Sequence, residues 1–204
     1  DYLMELYPDS RCELNYNKDY ELLIAVVLSA QTTDKRVNMI TSILFDKYKD
    51  IYSLSKADVN DLIEIVRPLG TASRKGVFVY EIANILVNEY NGVVPNNRKI
   101  LESMPGVGRK TANVVMSEGY KIPRIAVDTH VERVSKRLGI VPFSANVLDV
   151  EERLMDLIEQ DNWHKSHHLL LFFGRYFCLA KKPNCENCFY KKSCHYLNDK
   201  NLQD

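Results

Sequence analysis

The sequence predicts an all-α protein. Apolar residues recur at three- and four-residue spacing along most of the chain, convincing two-residue alternation is absent, and polar caps with Gly or Pro stops punctuate the apolar stretches. With 204 residues and 46% hydrophobic content, the chain is long enough for one large domain or two small ones and can bury a real core.

The elements follow in order. Leu22–Leu28 is an apolar run of seven residues behind Asp19 and Glu21, too short to span a bilayer. No secretory h-region stands at the N-terminus, and the first residue is Asp rather than Met. Val37, Ile40 and Leu44 form one stripe that ends near Tyr48. Ser55-Lys-Ala-Asp58 resembles a capping box that opens a helix burying Leu62, Ile65 and Val66, with Pro68 and Gly70 as its stop. Ser73 is placed to cap the next helix, whose buried side is Phe78, Ile82, Ile85 and Leu86; Asn91-Gly92 ends it. A short helix from about Arg98 to Met104 precedes the turn Pro-Gly-Val-Gly, and the next runs from Arg109 to Glu118 with Ala112, Val115 and Met116 on one side and Gly119 at its end. Ile122-Pro123 breaks the pattern. Ile125-Ala-Val127 leads into Asp128, and Thr129-His-Val-Glu132 reads as a capping box for a helix to Leu138-Gly139. Two further helices are expected, one burying Val150, Leu154, Leu157 and Ile158, the other containing Leu169 to Phe173.

Charge alone excludes little. Twenty-seven basic and 27 acidic residues balance to zero, so the whole chain lacks the basic excess that marks many nucleic-acid binders. Local pairs such as Arg74-Lys75, Arg109-Lys110, Lys136-Arg137, Lys181-Lys182 and Lys191-Lys192 can gather on one face after folding, although any one of them is simplest as a solvated helix surface.

Three motifs carry chemistry. In Pro105-Gly-Val-Gly-Arg-Lys110, glycines at 106 and 108 let backbone N–H groups approach an anion, and the following helix adds its positive N-terminal end. Such a grip holds a phosphate without reading a base. Lys110 then stands in the first turn, where the macrodipole disfavours a cation and so favours the free amine that a nucleophile needs. Eighteen positions later, Asp128 precedes a helix; the capping box of Thr129 with Glu132 is expected to leave its carboxylate free for other work, against the plain alternative that Asp128 is itself a cap. Finally, Cys178, Cys185, Cys188 and Cys194 are spaced Cys-x6-Cys-x2-Cys-x5-Cys, a crowding that suits a metal or cluster in a reducing compartment rather than disulfides; Zn and an iron–sulfur cluster both satisfy four thiolates. Cys12 is read as a spare thiol, and His164, His167 and His168 as packed or capping histidines.

The stretch Leu101–Val115, LESMPGVGRKTANVV, resembles the helix-hairpin-helix DNA glycosylases, and within them the endonuclease III family. The likeness extends from Glu21-Leu-Leu-Ile-Ala-Val and Ser29-Ala-Gln-Thr-Thr-Asp34 through Val127-Asp-Thr-His130 to Gly174-Arg-Tyr and the terminal cysteines. It implies a two-lobed fold with a C-terminal cluster loop: a helical domain over 12–122, and a cluster domain from 1–11 plus 123–204, with an active cleft between them. It further implies a bifunctional DNA glycosylase and abasic-site lyase of base excision repair that removes damaged, oxidised pyrimidines from double-stranded DNA. Lys110 and Asp128 are the implied catalytic pair, and a [4Fe-4S] cluster held by the four cysteines is the implied cofactor. Gln31, Thr71, Gly106, Gly108, Arg109, Lys181 and Lys191 are expected to contact DNA, Gln31 by filling the gap left by a flipped nucleotide. A monomer in the cytoplasm, associated with the nucleoid and not with a membrane, is expected. Thr71 and Ala72 depart from the family pattern, which commonly places a larger apolar or aromatic wedge after Gly70. Two rivals carry different expectations: a monofunctional adenine-mispair glycosylase would lack a lysine at 110, and a non-catalytic DNA-binding or redox-sensing cluster protein would form no covalent adduct.

Overall fold

The computed structural model describes residues 1–198. Its α-helices are, in order, α1 Tyr2–Leu6, α2 Asp19–Leu28, α3 Asp34–Lys47, α4 Ile51–Ser55, α5 Val59–Val66, α6 Ala72–Tyr90, α7 Arg98–Glu102, α8 Arg109–Tyr120, α9 Thr129–Arg137, α10 Val147–Leu157, α11 Trp163–Phe172 and α12 His195–Asn198. No strand occurs among the described residues. The chain forms two compact units: Glu13–Ile122 is one, and the other joins Asp1–Cys12 to the chain from Pro123 onward. Cys12 thus ends the first leg of the second unit, and positions 199–204 of the expected cluster domain lie outside the described residues.

In the 13–122 unit, α2 is buried on every side from Tyr20 to Leu28, which explains why its sequence is an unbroken apolar run rather than a stripe. Helices α3, α6 and α8 pack against it. The α3 stripe is Val37, Ile40, Thr41 and Leu44. Asp58, not Ser55, caps α5 by accepting from the Asn60 N–H at 2.8 Å; Ser55 instead closes α4. Ile65 is only half-buried. A 3-10 turn, Arg67–Leu69, and Gly70 separate α5 from α6, as the Pro-Gly pair requires. No side chain caps α6: its N-cap is Thr71, which lies in the left-handed region, and Ser73 sits inside the helix. The buried face of α6 is Lys75, Gly76, Val79, Ile82, Ala83 and Leu86, with Phe78 and Ile85 half-buried. Gly119 does not stop α8. The left-handed residue that ends it is Lys121.

The second unit is built on Ile125, Val127, Val131, Val134, Val150, Leu154, Leu170 and Phe173, with Leu3 and Leu6 of α1 packed against them. Leu157 at the end of α10 is 53% exposed, and Glu151 occupies the buried face instead. A π-helical turn, Phe173–Phe177, follows α11 and delivers the chain to Cys178. The rings of His167 and His168 are buried and packed edge to face, with centroids 4.9 Å apart.

Candidate functional site

The two glycines of the hairpin between α7 and α8 have different jobs. Gly106 has φ +75°, and a Cβ there would come within 2.5 Å of the Phe78 ring and 3.1 Å of Val27 Cγ1, so both backbone and packing demand glycine. Gly108 has neither constraint: an added Cβ would meet nothing within 4 Å. Gly108 is also the N-cap of α8 and offers no side-chain oxygen to the first-turn N–H groups. The turn therefore presents open backbone at a positive helix end. Lys110, the second residue of α8, is half-buried and makes no hydrogen bond or ion pair among the described residues.

Asp128 is itself the N-cap of α9. Its Oδ1 accepts from the N–H groups of His130 at 2.9 Å and Val131 at 2.8 Å. The expected capping box with Thr129 does not form: Asp128 holds the cap position, Thr129 is already the first helical residue, and Glu132 pairs with Lys136 Nζ at 2.7 Å, one turn on. The cap uses one carboxylate oxygen, and the half-buried carboxylate keeps the other. Arg133 on the same helix adds local positive charge. Its guanidinium donates to the carbonyls of Gly174 at 2.6 Å and Cys178 at 3.1 Å, and burial pushes its pKa below the usual arginine value despite the opposing influence of Asp128.

The four C-terminal cysteines gather at one pocket. Cys178, Cys185, Cys188 and Cys194 line one pocket with Leu138, Phe173 and Phe177, and none is disulfide-bonded. Burial raises the Cys185 and Cys188 thiols, and their neighbours Cys178 and Cys194 push both the same way, as sulfurs gathered around one point must. The donor set fits a group that takes four thiolates. Arg137, buried and placed four residues after Arg133, holds the loop from beneath: it donates to the carbonyls of Leu179 at 2.6 Å and Ala180 at 3.1 Å and lies 4.4 Å from the Tyr196 ring.

Comparison with known proteins decides the family. Residues 24–160 match the model of the HhH-GPD superfamily base excision DNA repair proteins. The chain belongs to that family. It is 43% identical over 188 residues to the endonuclease III of Bacillus subtilis, covering 92% of this chain and 86% of the relative. To the endonuclease III of Escherichia coli K12 it is 39% identical over 194 residues, covering 95% and 92%. A solved structure of a trapped endonuclease III–DNA covalent intermediate superposes with a TM-score of 0.94 and 44% identity, covering 97% of this chain and 93% of that one. No helix among the described residues is long and apolar enough to cross a membrane.

Elsewhere this HhH-GPD chain departs from its expected charge pattern. Gln31 and Thr71 are exposed loop residues, both in the left-handed region with φ 58° and 47°, as are few non-glycine residues. Lys181 and Lys191 are exposed on the cysteine loops. Lys75 and Arg137, however, are not surface charges; they are 3% and 7% exposed. Sequence reasoning missed Lys75, Arg133 and Arg137. The four-residue spacing of the two arginines on α9 marked a shared face, but nothing local marked what that face would hold.

Proposed function

We propose that the chain is a bifunctional DNA glycosylase and abasic-site lyase of base excision repair, acting on damaged pyrimidines in duplex DNA. The observation that carries this reading is the likeness, over nearly the whole chain, to an endonuclease III caught covalently joined to DNA. The open backbone at Gly108 supports a phosphate contact that fixes register without reading sequence. Lys110, without a hydrogen-bond or ion-pair partner among the described residues, is assigned the nucleophile. Its neutral Nζ attacks C1' of the flipped nucleotide; the C1'–N bond breaks with its electron pair on the departing base, which takes up a proton. The amine loses its proton, the sugar ring opens, and an imine links Nζ to C1'. Removal of a C2' proton then expels the 3' phosphate, and water hydrolyses the imine. Asp128 is assigned the stabilisation of positive charge on the sugar as the base leaves, by the oxygen its cap does not use. Gln31 and Thr71 are assigned to the gap in the stack, and Arg109, Lys181 and Lys191 to the backbone.

The fit of the four cysteines supports a [4Fe-4S] cluster as the resident group, with Cys178, Cys185, Cys188 and Cys194 as ligands. When bound, it supplies a knot that fixes the loops bearing Lys181 and Lys191. Borohydride reduction tests the central step: wild type should yield a covalent adduct with an abasic duplex, and Lys110→Gln should yield none. Tight binding by wild type with no adduct would refute the lyase and favour a non-catalytic DNA-binding protein.

A further inference from the structure

Lys75 has no part in the chemistry above, yet it is the most deeply buried ammonium described in the 13–122 unit. Its partners are not carboxylates. Nζ donates to the carbonyl of Ala30 at 2.8 Å and to that of Leu69 at 3.0 Å, so one charge bridges two loops separated by about forty residues in sequence. Each carbonyl fixes the peptide plane that leads into a strained tip. The Ala30 carbonyl belongs to the peptide whose nitrogen is Gln31, and Leu69 leads through Gly70, φ 73°, into Thr71. Left-handed backbone at a non-glycine residue persists only where the surroundings enforce it, and for β-branched threonine it is rarest. Burial lowers the Lys75 pKa, the cost of holding a cation there without an anion. Packing alone would be served as well by an apolar side chain.

We propose that Lys75 is the positioning residue that clamps the Ala30–Gln31 and Leu69–Thr71 tips into one preformed, two-pronged wedge for the base stack. The inference rests on the glycosylase reading, which supplies the flipped nucleotide and its gap. It also accounts for the small side chain at 71: a short prong opens a duplex only if it is held stiffly in place. Lys75 then governs how well the enzyme works on paired DNA, and leaves the reaction at an already unpaired sugar alone.

The test compares wild type with Lys75→Met, which keeps the apolar stem, and Lys75→Arg, which keeps the charge. In the free protein, Lys75→Met should speed amide exchange in both tips together while the centre of α2 stays protected. Lesion processing in duplex DNA should fall by about tenfold or more, the scale of loss when a positioning contact is relaxed. Borohydride trapping on an abasic site in single-stranded DNA should be unchanged, and Lys75→Arg should recover part of the duplex rate. Should Lys75→Met fail to fold, Lys75→Gln, which keeps a donor but cannot reach both the Ala30 and Leu69 carbonyls, should show the same duplex-only loss and the same paired rise in exchange. Equal losses on duplex and single strand, or faster exchange in one tip alone, would overturn the clamp. Failure of the glycosylase reading is distinct: wild type itself would then form no adduct with either DNA, and the exchange experiment would still decide whether the ammonium couples the tips.

Discussion

Asp128 does two things that a pair of substitutions separates. As the cap of α9 it satisfies the N–H groups of His130 and Val131 through one oxygen, at 2.9 and 2.8 Å. Asparagine caps almost as well as aspartate, so Asp128→Asn keeps both bonds and loses only the charge at the positive helix end, a loss of about 0.3–1 kcal/mol. Asp128→Ala removes the cap as well, and a lost cap costs about 1–2 kcal/mol. For a chain of this size each kcal/mol is worth about 2–4 °C in Tm, so the two variants should differ by several degrees on melting. Turnover should follow the opposite logic. If the carboxylate faces positive charge developing on the sugar, both variants lose it alike, with single-turnover base release falling by about 10²–10³, the scale for removing one preorganised electrostatic contact. Affinity for the damaged duplex should fall far less. The measurement is a thermal melt beside single-turnover glycosylase kinetics and equilibrium binding for all three proteins. If Asp128→Asn retains wild-type turnover, or if turnover tracks Tm across the series, Asp128 is a helix cap and its assigned role in the reaction is wrong.

Two other outcomes follow from the structure. Gly76→Ala would place a Cβ 2.8 Å from Ile63 N and 2.9 Å from Ile63 Cα, where α5 crosses α6. Helix propensity favours alanine by about 1 kcal/mol, but overpacking against backbone costs about 1–3 kcal/mol or more, so urea unfolding should show net destabilisation; an unchanged or higher midpoint would mean the helices part freely. Cys185→Ser should lower iron per chain and the visible absorbance of the purified protein, with far-UV dichroism largely kept because the 13–122 unit contributes no ligand; wild type that carries zinc and no iron would replace the cluster reading with a structural zinc site.

Much of the fold was legible because its signals are local. The α3 stripe, the Pro68–Gly70 break, the Asn91-Gly92 stop and the two-glycine hairpin each depend on side chains a few residues apart, and each stands where the sequence places it. Competing caps were less legible. At 55–58, 71–73 and 128–129 several polar residues are adjacent, and which of them takes the cap position, and whether its side chain reaches the free N–H groups, depends on the direction from which the chain enters the helix, a direction set by distant packing. Helix α1, five residues long, carries too weak a periodic signal to detect and is held by contacts with the second unit's core.

The sequence by itself determined the all-helical class, the two-glycine hairpin with its lysine, and the four thiols, because spacing along one helix or turn is enough to specify each of them. Only the tertiary structure decided which cations are withdrawn from solvent, fully at Lys75 and Arg137 and partly at Arg133. Lys75, Arg133 and Arg137 look like the surface cations around them, and their partners are backbone carbonyls, which every residue carries and no sequence pattern marks. A carbonyl becomes a specific acceptor only when folding turns it toward one donor and removes competing water.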